Sequence, residues 1–146
     1  MCQVPESSAA PYNRAMDPQR LDEIARRHDI ELIVQFGSSV SGRMHPGSDV
    51  DLAVLFRHVP ESYAGLGDLE ADLQSLAPER RVDLGVLNHA DPLFLKQVMD
   101  HARLLYGSPR CFQELKLRAF RQYQDHRRFL DMERAYVERA IAGLAR

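Results

Sequence analysis

The sequence predicts an α/β (α+β) domain: a small mixed β-sheet flanked by helices, followed by one long C-terminal helix. Three observations predict it. Apolar runs at residues 30–36, 50–56 and 82–87 are bounded by glycine, proline and polar residues, as buried strands are. Segments around them carry apolar residues at helical spacing behind Asp-Pro caps. After Pro109 an apolar stripe runs on to the end of the chain. With 146 residues, 45% of them apolar, the chain can bury one core but not two independent ones.

Met1 to Met16 holds Pro5, Pro11, Ser7 and Ser8 without periodic apolar residues, and reads as a flexible lead-in to a single domain over residues 17–146. Asp17-Pro18 caps a helix through Leu21, Ile24 and Ala25 to about His28. Ile30–Phe36 is the first strand, and a short helix starts at Ser38 or Ser39. Val50–Phe56 is the second strand, antiparallel to the first because the link between them is short. Residues 60–67 read as a loop and Leu66–Leu76 as a helix, after which Val82–Leu87 forms a third strand. A strand, helix, strand unit of this length makes the second and third strands parallel by a right-handed crossover. Asp91-Pro92 caps a helix over residues 93–101, and residues 103–107 form a short edge strand, completing a core of residues 17–108.

The helix over residues 109–144 carries its stripe through Phe112, Leu115, Ala119, Tyr123, Leu130, Val137, Ile141 and Leu144. It is longer than a small sheet can cover. Either part of the stripe meets another protein or the helix lies along its own domain.

The net charge of −2 conceals an asymmetry. Residues 1–106 carry ten Lys/Arg against sixteen Asp/Glu, and residues 107–146 carry nine against five. An acidic body argues against a broad nucleic-acid surface, while the basic tail suits an acidic partner. Two cysteines, Cys2 and Cys111, are too few for a disulfide framework or a zinc site. No apolar stretch is long enough to cross a membrane and the N-terminus does not read as a signal peptide, so a cytoplasmic protein is expected.

The chemistry is concentrated between the first two strands. Gly37 and Ser38 leave the first strand at a turn small enough to bring free backbone N–H groups to a phosphate. Asp49 and Asp51 open the second strand two residues apart, so both side chains project from one face. Carboxylates held side by side repel unless a cation sits between them, and hard oxygen ligands of this kind suit Mg²⁺. A phosphate cradle facing a Mg²⁺ clamp points to phosphoryl or nucleotidyl transfer. Asp83 interrupts the third apolar run one residue after it starts, where it either joins the other two acids or pairs structurally with Arg80 or Arg81. Arg43 reads as a surface residue that could also assist a triphosphate, and His45 as a loop histidine.

The spacing Gly37-Ser38, ten residues, Asp49-x-Asp51 resembles the signature of the DNA polymerase β-like nucleotidyltransferase superfamily. The resemblance implies that Gly37 and Ser38 bind the nucleotide triphosphate. It also implies that Asp49, Asp51 and the third carboxylate, Asp83, hold two Mg²⁺ ions and carry catalysis. After the site the chain offers two helices and a short strand, and no second domain to enclose a small acceptor. This compactness is similar to the minimal nucleotidyltransferase (MNT) antitoxins paired with HEPN toxins. That likeness implies transfer of AMP from ATP to a hydroxyl, a tyrosine in that family, of a partner toxin. Two alternatives stay open: modification of a small molecule such as an aminoglycoside, in which a dimer would supply the pocket, and a non-catalytic antitoxin acting by occlusion. Arg121 and His126 share the spacing of the HEPN ribonuclease site, but Arg128 stands where that motif has tyrosine, so the segment reads as a solvated helix face.

Overall fold

The computed structural model describes residues 16–41 and 48–145. Its elements are α1 (Pro18–Arg27), β1 (Ile30–Phe36), α2 (Ser38–Ser41), β2 (Val50–Phe56), α3 (Tyr63–Gln74), β3 (Val82–Val86), α4 (Pro92–His101), β4 (Arg103–Tyr106) and α5 (Pro109–Leu144). The strands form one four-stranded sheet in the order β3-β2-β1-β4. β1 is antiparallel to both β2 and β4, and β2 is parallel to β3, as a hairpin-like link followed by a helical crossover requires.

Because alternate residues of a strand face opposite ways, the sheet has two apolar faces, each covered by helices. Ile33, Leu52, Val54 and Val82 pack with Leu21, Ile24 and Ala25 of α1 and Leu69 and Leu73 of α3. Leu32, Val34, Ala53 and Leu55 pack on the other face with Leu95, Val98 and Met99 of α4 and Phe112, Leu115 and Ala119 of α5. Each fully buried leucine in these layers contributes about 1.5–3 kcal/mol relative to exposure.

Side-chain caps begin the four longer helices. Asp17, Ser62, Asp91 and Ser108 each accept a hydrogen bond from a backbone N–H in the first turn. The Ser62 cap moves the start of α3 to Tyr63, so Gly65 and part of the expected loop over residues 60–67 are helical. Two glycines hid that first turn in the sequence. The third strand ends at Val86, one residue short of expectation, because the Leu87 N–H turns to the Val54 carbonyl and Asn88 closes the strand end. Asn88 donates to the Phe56 carbonyl at 2.8 Å and accepts from the Phe56 N–H at 2.9 Å, fastening β3 to β2.

The lead-in expected over residues 1–16 lies outside the described residues except for Met16, which packs against the α1 side of the core. Arg43 and His45 also lie outside them.

Candidate active site

The site is built where β1 ends and β2 and β3 begin. Phe36 is the last residue of β1 and pairs across the sheet with Asp51. Gly37 then turns the chain with φ of 75°, in the left-handed region that an L side chain adopts only with strain. A second constraint acts at the same position: a Cβ on Gly37 would run into the Asp51 carboxylate, with its Cγ at 3.0 Å. Glycine is thus required for backbone shape and for the space that Asp51 occupies. Ser38, half-buried, opens the single turn α2, and the Val40 N–H donates back to the Gly37 carbonyl at 3.2 Å.

Asp49 is exposed immediately before β2, and Asp51 is half-buried within it. Asp83, also exposed, is the direct parallel partner of Asp51. Paired residues of neighbouring strands face the same way about 4.8 Å apart, so these two carboxylates stand side by side. Burial, followed by the charges of Asp83 and then Asp49, holds the Asp51 carboxyl above its ordinary value of 3.8. The three acids predicted from the sequence therefore act on one another electrostatically, around Asp51.

Beside them lies an aromatic wall on the α4 face of the sheet. Phe36 and Phe94 meet edge to face with centroids 6.2 Å apart, and Phe94 reaches the sheet because Gly85 has no side chain there. A Cβ at Gly85 would come within 3.1 Å of the Phe94 ring.

One residue that carries no motif of its own organises the approach to Asp83. Gln74, at the end of α3, donates through Nε2 to the carbonyls of Ala77 and Arg80 at 2.9 and 2.5 Å. Its Oε1 accepts the Val82 N–H at 2.9 Å, one residue before Asp83. The Arg81 carbonyl in turn accepts the Val50 N–H at 2.8 Å, between Asp49 and Asp51. These bonds set the register of the two acidic strand ends. A glutamine closing a loop has no spacing signature, so only the fold reveals it.

Among the described residues, no group of three or more His, Cys, Asp or Glu is set to hold a metal ion by itself. That fits the way Mg²⁺ is normally held, by one or two carboxylates with water and substrate phosphates supplying the remaining oxygens. Adjacent Asp51 and Asp83, with Asp49 beyond them, form a donor set of that type: oxygen only, anionic and reachable from solvent.

A mixed sheet of this order, with acidic side chains at the joined ends of its parallel strands, is the framework of a nucleotidyl-transfer enzyme. The chain belongs to the polymerase beta nucleotidyltransferase family, whose model matches residues 19–110. Among solved structures, a chain of a toxin–antitoxin structure with AMP-PNP is 25% identical, with a TM-score of 0.66 over 86% of this chain and 98% of that one. A chain from the complex of tri-AMPylated Shewanella oneidensis HEPN toxin with MNT antitoxin is 23% identical, with a TM-score of 0.60 over 86% and 95%. Spectinomycin adenyltransferase from Enterococcus faecialis, with ATP and spectinomycin, is 15% identical, with a TM-score of 0.52 over 66% and 57%. The last two likenesses are of fold. No curated protein matches the chain.

Proposed function

We propose that this nucleotidyltransferase is an antitoxin that transfers AMP from ATP to a tyrosine hydroxyl of a partner HEPN toxin. The observation that supports the reading best is the likeness, over 98% of its length, to a chain of a toxin–antitoxin structure with AMP-PNP. The acceptor oxygen attacks the α-phosphorus of ATP in line. A P–O bond forms to the acceptor, the bond to the β-phosphate oxygen breaks, pyrophosphate leaves, and the hydroxyl proton is given up.

In this reading Gly37 and Ser38 fix the β- and γ-phosphates, and Asp49 and Asp51 hold Mg²⁺. Asp83 shares the first ion or takes the proton from the acceptor, and its place beside Asp51 suits it to either role. Bound Mg²⁺ would offset the charge of the phosphates and of the leaving pyrophosphate. The same charge bears on the fold itself: with Asp51 beside Asp83, the metal-free site holds carboxylates that oppose one another.

The small-molecule alternative has less support, because the spectinomycin enzyme is matched over only 57% of its chain. No helix among the described residues is long and apolar enough to cross a membrane, and we take the protein to act in the cytoplasm. The test is incubation with α-labelled ATP, Mg²⁺ and the helical protein encoded beside it. Label on that protein, lost in Asp83→Asn and removed by tyrosine replacement in the acceptor, is the expected result. Label on added spectinomycin instead would assign the protein to the small-molecule class. A tight complex that carries no label, and is indifferent to Asp49→Asn, would make it an occluding antitoxin.

A further inference from the structure

The three acids share their end of the sheet with two aromatic rings, and strand register fixes how they are arranged. Residues paired across neighbouring strands face the same way, so same-face side chains form rows. The outer row runs Phe36, Asp51, Asp83 across β1, β2 and β3. The next row inward on that face runs Val34, Ala53, Gly85. A methyl group and a bare glycine leave this second row low towards β3, and the Phe94 ring of α4 lies in the space. A Cβ at Gly85 would meet the Phe94 Cζ at 3.1 Å and the Ala53 Cβ at 3.8 Å. Phe94 thus stands directly behind the acid couple, and its edge-to-face contact with Phe36 closes the wall on the β1 side.

The ring is firmly mounted. Asp91 accepts hydrogen bonds from the Leu93 and Phe94 N–H groups at 2.9 and 3.1 Å, and the next residue, Leu95, is buried in the core. Further along the same helix Val98 and Met99 are also buried, while Phe94 stays half-buried, as does Phe36. Both rings therefore keep part of their surface for a ligand beside the acids.

Two ligand parts could meet such a wall: the base of the nucleotide, or the ring of the acceptor tyrosine. Connectivity separates them. A ribose stands between the α-phosphate and a base, whereas a phenol oxygen is bonded to its own ring, so the acceptor's ring must lie immediately beside the reacting atoms. Gly85, over which Phe94 sits, is two residues from Asp83, about 6.6 Å along the strand. Aromatic rings pair at centroid separations of about 4.5–7 Å, so a ring seated on Phe94 lies next to the acid couple. Direction gives the same answer. With the leaving pyrophosphate at the Gly37 corner, at the end of β1, in-line attack brings the acceptor from the β3 side, where Gly85 and Phe94 are.

We infer that Phe94, backed by Phe36, is the seat of the acceptor's aromatic ring and aims its hydroxyl at Asp51 and Asp83. An aliphatic hydroxyl gains no such contact, so the seat selects a phenol. The inference rests on the reading of the protein as a tyrosine-directed transferase, and it adds the residue that chooses the acceptor.

The test measures affinity between the full-length chain and the helical protein encoded beside it, in Mg²⁺ with an ATP analogue whose α–β link cannot be cleaved. Replacing the partner's labelled tyrosine by leucine should weaken the complex about three- to tenfold, the worth of one aromatic pair, while phenylalanine there should bind as tyrosine does. Against Phe94→Leu the tyrosine-to-leucine exchange should cost nothing further, because the contact is already gone. The ATP affinity of Phe94→Leu, measured without the partner, should match wild type. If the two losses add, or if leucine at the acceptor position binds as well as phenylalanine, the seat is overturned, and labelling of the partner by wild type leaves the antitoxin reading standing. If Phe94→Leu weakens ATP binding instead, the wall serves the nucleotide and the inference is wrong. If wild type neither binds nor labels the partner, both readings fall. The leucine and phenylalanine comparison is made on wild type, so it decides the matter even if Phe94→Leu does not fold.

Discussion

Replacing Asp51 by Asn should abolish AMP transfer and at the same time make the metal-free protein more stable. Asp51 and Asp83 are strand partners about 4.8 Å apart. Two unit charges at 4 Å repel by about 1 kcal/mol in water and about 4 kcal/mol at an effective dielectric of 20, and a half-buried strand end lies between these limits. An amide keeps the shape and removes both this repulsion and part of the cost of burying a charge. The expected gain is about 1–2 kcal/mol, or about 3–6 °C in Tm for a domain of this size. The sign of the pH dependence follows from the raised folded pKa. Burial and the neighbouring acids disfavour ionised Asp51 in the folded state, so wild type loses stability relative to the variant as pH rises from about 3.8 through the folded value. The gap should be small in acid and full at neutral pH. Mg²⁺ at a hundred times its Kd stabilises wild type by about 2.7 kcal/mol, which reverses the order of the two melting curves. Thermal melts at pH 4 and 7, in EDTA and in Mg²⁺, read all of this out. A variant that melts below wild type in EDTA at pH 7, or that Mg²⁺ stabilises as much as wild type, would refute the account of the site.

Gly37→Ala places a Cβ against the Asp51 carboxylate in a left-handed backbone, and should cost about 1–3 kcal/mol in urea unfolding together with most of the transfer activity. Wild-type unfolding with wild-type activity would show that the corner relaxes freely. Gln74→Leu strips partners from the Val82 N–H and from two loop carbonyls, at about 1–3 kcal/mol for each group left unsatisfied. Calorimetry should show the fall in Tm, and transfer measured well below that Tm should fall too, because the register of Asp83 is set by these bonds. His28, at 2.7 Å, and Arg27 hold the Asp72 carboxyl below its ordinary 3.8. Its contribution to stability is complete above that value and is lost as pH falls through the lowered one, so Asp72→Asn should narrow its deficit against wild type in acid titration and show its full deficit near pH 6.

Most of the frame was legible because it is written in periodicity and spacing. The strands over 30–36 and 50–56, the crossover to the third strand and the caps at Asp17 and Asp91 all follow from local patterns of apolar and capping residues. So does the meeting of Asp51 with Asp83, since a parallel pair whose acids stand one residue inside each run sets them side by side. What escaped depends on contacts distant in sequence. Gln74 reads as an ordinary helix-end residue until Val82 is folded onto it, and Phe94 has no visible tie to Gly85 until α4 lies on the sheet. The first turn of α3 was hidden by Gly65 and Gly67, whose low helix propensity is overridden by the Ser62 cap. The stripe of α5 was readable as a stripe, but a helical wheel does not say where the sheet beneath it ends.

The parallel pairing of β2 with β3 has one more consequence. Side chains alternate along a strand, so slipping β3 by a single position would send Asp83 to the α3 side while leaving most of the hydrogen-bond ladder available. A molecule misassembled in that way could still be compact and yet be chemically silent. The acidic couple therefore works as a gauge of correct strand alignment, and only chains that have threaded this edge faithfully can join the pool of working enzyme.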